Sequence, residues 1–177
     1  MKSVAITLCL LGGAGLGHSQ EAASAAVPNA ATFAPIFTIS WNLTPNVVHY
    51  DAKLKDGKFD PKEPISVYWV MNTKGGRRES LTLIERLKAY GFTARPGGEP
   101  DSYDVVIVSV KKKTMHVARK GDSFEVTLSI GECRTARLER AQVQAHKWHF
   151  LNVADYVELT GTDLVTGAEC RERVNAE

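Results

Sequence analysis

Four side chains of the kinds that move protons stand close together in the sequence: His49, Asp51, Glu85 and Tyr90. Imidazole, carboxylate and phenol groups act as general acids and bases when they lie within hydrogen-bond reach of one reacting atom. His49 and Asp51 sit two positions apart on an alternating segment. They therefore share a strand face at a spacing of ~7 Å, side by side without direct contact. Solvated pairs of this kind are ordinary, and reactivity would also need shifted proton affinities, so the pattern assigns no catalytic group.

His146 and His149 have a His-x-x-His spacing around Trp148, and His116 lies on a separate segment. On a strand an offset of three points the two rings to opposite faces, which is poor geometry for one zinc ion. No metal set is assigned. Gly75-Gly76-Arg77-Arg78 precedes a helical pattern, where free N–H groups could meet an anion, but it lacks the Lys-Ser/Thr ending of a phosphate loop. It reads as a flexible lead-in to the helix. The sequence holds no Gly-x-Ser-x-Gly, Cys-x-x-Cys or His-Glu-x-x-His, which argues against the common hydrolases, redox proteins and zinc proteases. No cofactor is expected.

Tyr50, Tyr68, Trp69 and Tyr90 form the main concentration of rings. Each ring buries a large area, so core packing is one reading. The other is the lining of a pocket at a barrel mouth or a helix–sheet junction, where ligand sites commonly lie. The candidate ligand-facing set is His49, Tyr50, Tyr68, Trp69, Asn72, Glu85 and Tyr90.

The elements that must position these groups follow from periodicity. Ile36, Phe37, Ile39 and Trp41 suggest a first strand, broken at Asn42 to Pro45. Val48, Tyr50, Ala52 and Leu54 alternate with Val47, His49, Asp51 and Lys53, the pattern of a half-buried strand. In the next strand Ile65, Val67, Trp69 and Met71 occupy one face and Tyr68 and Val70 the other, so something must cover the second face. The cover is expected to be a helix over about residues 79–90, with Leu83, Ile84, Leu87 and Tyr90 against the sheet. Ser80 or Thr82 would start it, Thr82 with Glu85 as a capping box, and Gly91 would end it in the left-handed region.

Val105 to Val108 form a nearly continuous apolar run suited to a central strand. Met115, Val117 and Arg119 alternate into a Lys120-Gly121-Asp122 turn, and Phe124, Val126, Leu128 and Ile130 alternate away from it. Ala141, Val143 and Ala145, then Leu151, Val153, Val157 and Leu159, continue the pattern to a last hairpin turning at Val165-Thr166-Gly167. Successive strands with short connections predict a mainly β fold, an antiparallel meander closing into a barrel or sandwich with one helix packed on the sheet.

The chain starts with Met1 and Lys2, an apolar run from Val4 to Leu16 and small residues at Gly17 and Ser19. This reads as a signal peptide over 1–19, followed by an Ala- and Ser-rich flexible leader over 20–35 and a single β-rich domain over 36–177. The address is periplasmic or secreted. The composition, 44% hydrophobic and 24% charged, is that of an ordinary globular domain. With Lys2 gone the chain is nearly neutral, so nucleic acid is not expected as a partner, and the Lys111–Lys113 run reads as a solvated turn. No membrane-spanning segment is expected after the signal. Cys133 and Cys170 are an even pair that an oxidising compartment would allow to bridge, although both could also be buried thiols.

The ordered combination of Asn46, Tyr50, Asp51, Pro64, Tyr68, Trp69, Ala89, Tyr90 and Gly91, with "YVELTGTDLVTGAECRERV" near the end, resembles the bacterial domain-of-unknown-function family numbered 4833. The likeness spans Phe37 to Val174. It implies an exported, single-domain, mostly β protein and brings no activity, substrate or catalytic residue. The family pattern often has another polar residue where this chain has His49, so His49 is not carried over as a shared functional group. The expected function is non-catalytic binding of a small ligand or an envelope protein. The alternatives are a hydrolase-type enzyme using polar residues near His49 and Glu85, and a structural module pairing through a β edge.

Overall fold

The computed structural model describes residues 32–149 and 151–175. The expected signal peptide and the leader through residue 31 lie outside them. Among the described residues strand structure is already present at Thr32, ahead of Ile36: β1 (Thr32–Trp41) pairs Thr32 with Leu54 and Ala34 with Ala52, which draws the residues just before Ile36 into the sheet.

The described chain is mainly β, with twelve strands in one connected sheet. Its organising element is β10 (Cys133–Trp148), 16 residues long. Along one edge β10 pairs with β11 (Leu151–Asp163), which in turn pairs with β12 (Glu169–Asn175). The other edge is shared by two neighbours. Residues Cys133, Ala136 and Arg137 pair with β9 (Ser123–Ile130), and Ala141 to Val143 pair with Ile39 to Trp41 of β1.

Two wings diverge from that fork. One runs β1, β2 (Val47–Lys55), β4 (Ile65–Met71) and β5 (Arg77–Ser80), with the short β3 (Lys58–Phe59) hung on β2. The other runs β9, β8 (Met115–Lys120), β7 (Ser102–Ile107) and β6 (Phe92–Pro96). Ring contacts join the wings: Phe59 packs on Tyr103 and Phe124 at centroid distances of 4.9 and 5.0 Å, and Tyr50 meets Phe92 at 6.0 Å. The core between them includes Val48, Tyr50, Val105, Met115, Val117 and Ile130, all buried.

Two expectations change here. The sheet path ends at β5 and β6, so it is open and does not close into a barrel. A strand long enough to serve two neighbours on one edge forks the sheet instead. The order is also not a pure antiparallel meander, because β1 and β10 run parallel. Parallel neighbours must be far apart in sequence, and strand periodicity carries no information about such pairing.

The expected helix over 79–90 is shorter and faces differently. Residues 77–80 are the edge strand β5, paired to β4, and the Gly75-Gly76 segment with φ of 68° and 79° is the hairpin turn before it rather than a helix lead-in. Helical structure starts at α1 (Leu83–Glu85), capped by the Thr82–Glu85 box, and passes at once into a π-type turn over Arg86–Tyr90. The wider turn breaks the 3.6-residue period on which the apolar stripe depended. Leu83, Ile84 and Leu87 are consequently 71, 74 and 63% exposed, while Leu81 and Tyr90 are buried. Gly91 is extended rather than left-handed, with φ −60° and ψ 157°. Its glycine serves close approach: a Cβ there would lie 1.9 Å from the Arg86 carbonyl oxygen.

Cys133 and Cys170 form a disulfide with a Cα separation of 6.2 Å, tying the start of β10 to β12 across a sequence separation of 37. A bridge closing a loop of that size adds about 2–4 kcal/mol of stability.

Candidate functional site

Alternation along the β1–β2–β4 wing decides which residues meet. Ile39 pairs with Val48 and Val48 with Trp69, so Trp41, Ile39, Val48, Tyr50, Val67 and Trp69 share the inner face. Thr38 pairs with His49 and His49 with Tyr68, on the outer face with Asp51. The seven candidates thus divide between two sides of one sheet.

At the inner face's open end lies a cleft of about 450 Å³. Trp41, Trp69 and Tyr90 are its rings; Glu79, Glu85, Thr82, Ser80, Met71, Thr44, Asn46 and Asn152 complete it. The Trp69 and Tyr90 rings stand 5.3 Å apart at 82°, edge to face. Trp41 donates its indole N–H to the Tyr90 phenol oxygen at 2.6 Å, and Trp69 donates to Glu85 Oε1 at 3.0 Å. Glu85 Oε2 accepts from Thr82 N at 2.7 Å and Thr82 Oγ1 at 2.8 Å, so the cap that starts the helix also fixes this carboxylate against the sheet. Glu79 accepts hydrogen bonds from Arg77 and from Lys74, the latter at 3.0 Å, and these, Arg77 foremost, hold its carboxyl below the usual range.

Tyr50 lies beneath the cleft rather than in it. Fully buried, it stacks on Phe37 at 4.4 Å and donates its phenol to the Tyr90 carbonyl at 2.7 Å. Burial pushes both phenols far above their ordinary value; each is a fixed hydrogen-bonding group near neutral pH. Asn72 donates to the Pro45 carbonyl at 2.7 Å and Asn46 accepts from Thr73, which stitches the β1–β2 loop to the turn after β4. Asn72 shapes the rim without lining the cleft.

On the outer face the Tyr68 ring lies between His49, stacked at 5.6 Å, and the Arg78 guanidinium at 4.5 Å. Tyr68 donates to Asp51 Oδ2 at 2.5 Å, and buried Asp51 leaves Oδ1 with no partner among the described residues. Burial, then the bond to Asp51 and its charge, push the Tyr68 phenol up to about 12. Burial holds the His49 imidazole below its usual value against the pull of Asp51. His49 also borders a smaller groove of about 240 Å³ between β1 and β10.

Among the described residues the other imidazoles and the cysteines have structural partners. His116 bonds Asp104 and His146 bonds Asp155, each at 2.8 Å, and His149 packs against Trp148. Cys133, Cys170 and Asp163 lie within 4.8 Å of one another, but the sulfurs are bonded together and Asp163 accepts from Thr166 N, Thr166 Oγ1 and Val165 N in the β11–β12 turn.

A family model described as "Domain of unknown function (DUF4833)" matches residues 37–173. The chain belongs to this family. No curated protein and no solved structure matches it. The DUF4833 assignment covers both faces of the wing and brings no activity to either, so the geometry carries the functional argument.

That geometry unites Trp69, Glu85 and Tyr90 from the candidate set and adds Trp41, Asn46 and Asn152, which the sequence reading missed. Trp41 could have been found by parity with Phe37 and Ile39 at the end of β1; Asn152 had no sequence signal. His49 and Glu85 lie on opposite faces of the sheet, so the acid–base pair of the hydrolase alternative does not converge.

Proposed function

We propose that this domain is a non-catalytic, exported binding protein of the cell envelope that holds a small ligand in the Trp41–Trp69–Tyr90 cleft. The observation that carries the proposal is that these rings line a half-open cleft of about 450 Å³, a volume within the ~300–1,000 Å³ range of ligand pockets. Both carboxylates in the wall are committed, Glu79 to cations and Glu85 to Trp69 and Thr82, which favours recognition over proton transfer. The Cys133–Cys170 bridge supports the exported address, since structural disulfides persist in oxidising compartments.

The test is a ligand screen by thermal shift on the full chain, repeated on Asn152→Trp, which fills the mouth from an exposed rim position. A hit should raise the wild-type Tm and leave the variant unmoved. Equal shifts in both would remove the cleft as the site.

The exposure of Leu83, Ile84 and Leu87 favours a second reading, a protein partner docked on the helical segment. Replacing all three with Ser should abolish capture of that partner and leave the ligand shift intact. Pairing through a β edge has less support: β5 carries Arg77, Arg78 and Glu79, β6 ends in Arg95-Pro96, and β12 is rich in Glu and Arg, the residues that guard edges against such pairing.

A further inference from the structure

We infer that the cleft's ligand carries an alkylated ammonium group, held by the ring faces of Trp41 and Trp69 and by the charge of Glu85. This rests on the ligand-binding reading above and names the chemistry of the same site.

The two indoles that line the cleft have no hydrogen-bond donor left for a ligand. Both indole N–H groups are spent inside the protein, on the Tyr90 oxygen and on Glu85. What remains for a ligand is the electron-rich π face of each indole, an acceptor for positive charge rather than a hydrogen-bond donor. Trp69 and Tyr90 stand at 82°, two walls of a corner rather than a flat stacking platform. A corner suits a rounded cation that touches several faces at once, whereas a sugar or a planar heterocycle gains most from one parallel face.

The charge in the wall points the same way. Glu79 is paired with two cations, Lys74 and Arg77, neither of which lines the cleft. Glu85 differs: its partners, the Trp69 indole, the Thr82 amide and the Thr82 hydroxyl, are all neutral, and among the described residues it forms no ion pair. The cleft therefore keeps a half-buried formal negative charge beside its rings. Because both Glu85 oxygens already accept hydrogen bonds, the group has less to give a hydroxyl-rich ligand that needs directed acceptors. An alkylated ammonium asks only for the charge, which acts without direction over the distance of a ring. Rings plus a carboxylate that forms no ion pair among the described residues and has three of its ~4 acceptor positions taken form a constellation selective for a cation that donates no strong hydrogen bond.

The experiment uses the full chain, with Trp fluorescence as the readout, since Trp41 and Trp69 both line the cleft. Three probes are titrated: choline, its uncharged carbon isostere 3,3-dimethyl-1-butanol, and methyl glucoside. Choline should bind saturably and about tenfold or more tighter than the isostere, the factor expected of a partly desolvated cation–π contact. Glu85→Gln keeps one acceptor oxygen for the capping box and removes the charge together with the acceptor of the Trp69 indole; choline affinity should fall about tenfold while the affinity of the isostere, which registers any shift of the Trp69 ring, stays the same. Trp69→Leu should remove the preference for choline over the isostere.

Equal affinity for choline and its isostere, or an unchanged Glu85→Gln, overturns the cation assignment. Binding of methyl glucoside without choline overturns it too, while leaving the ligand-binding reading standing. Failure of all three probes to bind, together with an empty thermal-shift screen, sinks both.

Discussion

On the inner face of the β1–β2–β4–β5 wing Trp69 donates its indole N–H to Glu85, and on the outer face, one residue earlier, Tyr68 donates its phenol O–H to Asp51. The chemistry is nearly the same on both sides: an aromatic donor, a carboxylate and further rings or cations nearby. On the outer face the Tyr68 ring is occupied on both sides, by His49 and by the Arg78 guanidinium. On the inner face the rings meet at right angles, and the turn from Thr82 to Tyr90 holds them around an open volume. Composition does not decide whether an aromatic cluster is a core or a site. The backbone that spaces the rings does, here a π-type turn and a glycine against the Arg86 carbonyl.

The sharpest way to break this comparison is to remove the floor of the cleft. Tyr50→Ala deletes a fully buried ring stacked on Phe37 and leaves the Tyr90 carbonyl without its donor. It should cost about 3–5 kcal/mol, read as a lowered urea midpoint. An effect below about 1 kcal/mol would mean that the inner cluster packs more loosely than its contacts indicate.

Tyr68→Phe tests the outer face at smaller cost. Asp51 would then be a buried carboxylate with neither oxygen satisfied, at a loss of about 1.5–3 kcal/mol for one charge-assisted bond. Any ligand-induced Tm shift should be the same size in Tyr68→Phe and wild type. A reduced shift would show that the two faces are coupled through β4, and the division between them would fail.

Much of this was legible in the sequence, and the residues explain where it stopped. The Lys120-Gly121-Asp122 turn gives the β8–β9 hairpin its register, with Gly121 at φ 63°, and Gly167 at φ 72° does the same for β11–β12. These are local signals. The fork at β10 is not local: it depends on Ala141 to Val143 meeting a strand about a hundred residues earlier. Among the site residues, Trp69, Glu85 and Tyr90 were legible because the helix start at Thr82 is written in adjacent residues. Parity with Phe37 and Ile39 puts Trp41 on the inner face, but its meeting with Tyr90, 49 positions away, had no local signal. Tyr68 and Trp69 are adjacent in a strand and cannot share a face, so grouping them as one site conflicted with the alternation already visible in the sequence.

The smallest expected effect is a pH dependence confined to the outer face. Burial lowers the His49 proton affinity in the fold, Asp51 raises it, and Arg78, over the Tyr68 ring that stacks on His49, lowers it further. Between the folded value and the unfolded value of about 6.5 the unfolded chain binds more protons, so stability falls as pH drops through that window and is unaffected by His49 above it. His49→Gln removes the titration and keeps a polar side chain on the same strand position beside Thr38 and Tyr68. Subtracting the Tm profile of His49→Gln from that of wild type, from about pH 7.5 down to about pH 5, should give a flat line at the top and a small decline below about 6.5. A difference that rises on acidification would mean that Asp51 dominates the imidazole, making the outer cluster an ion-pair site instead of the packed counterpart of the cleft.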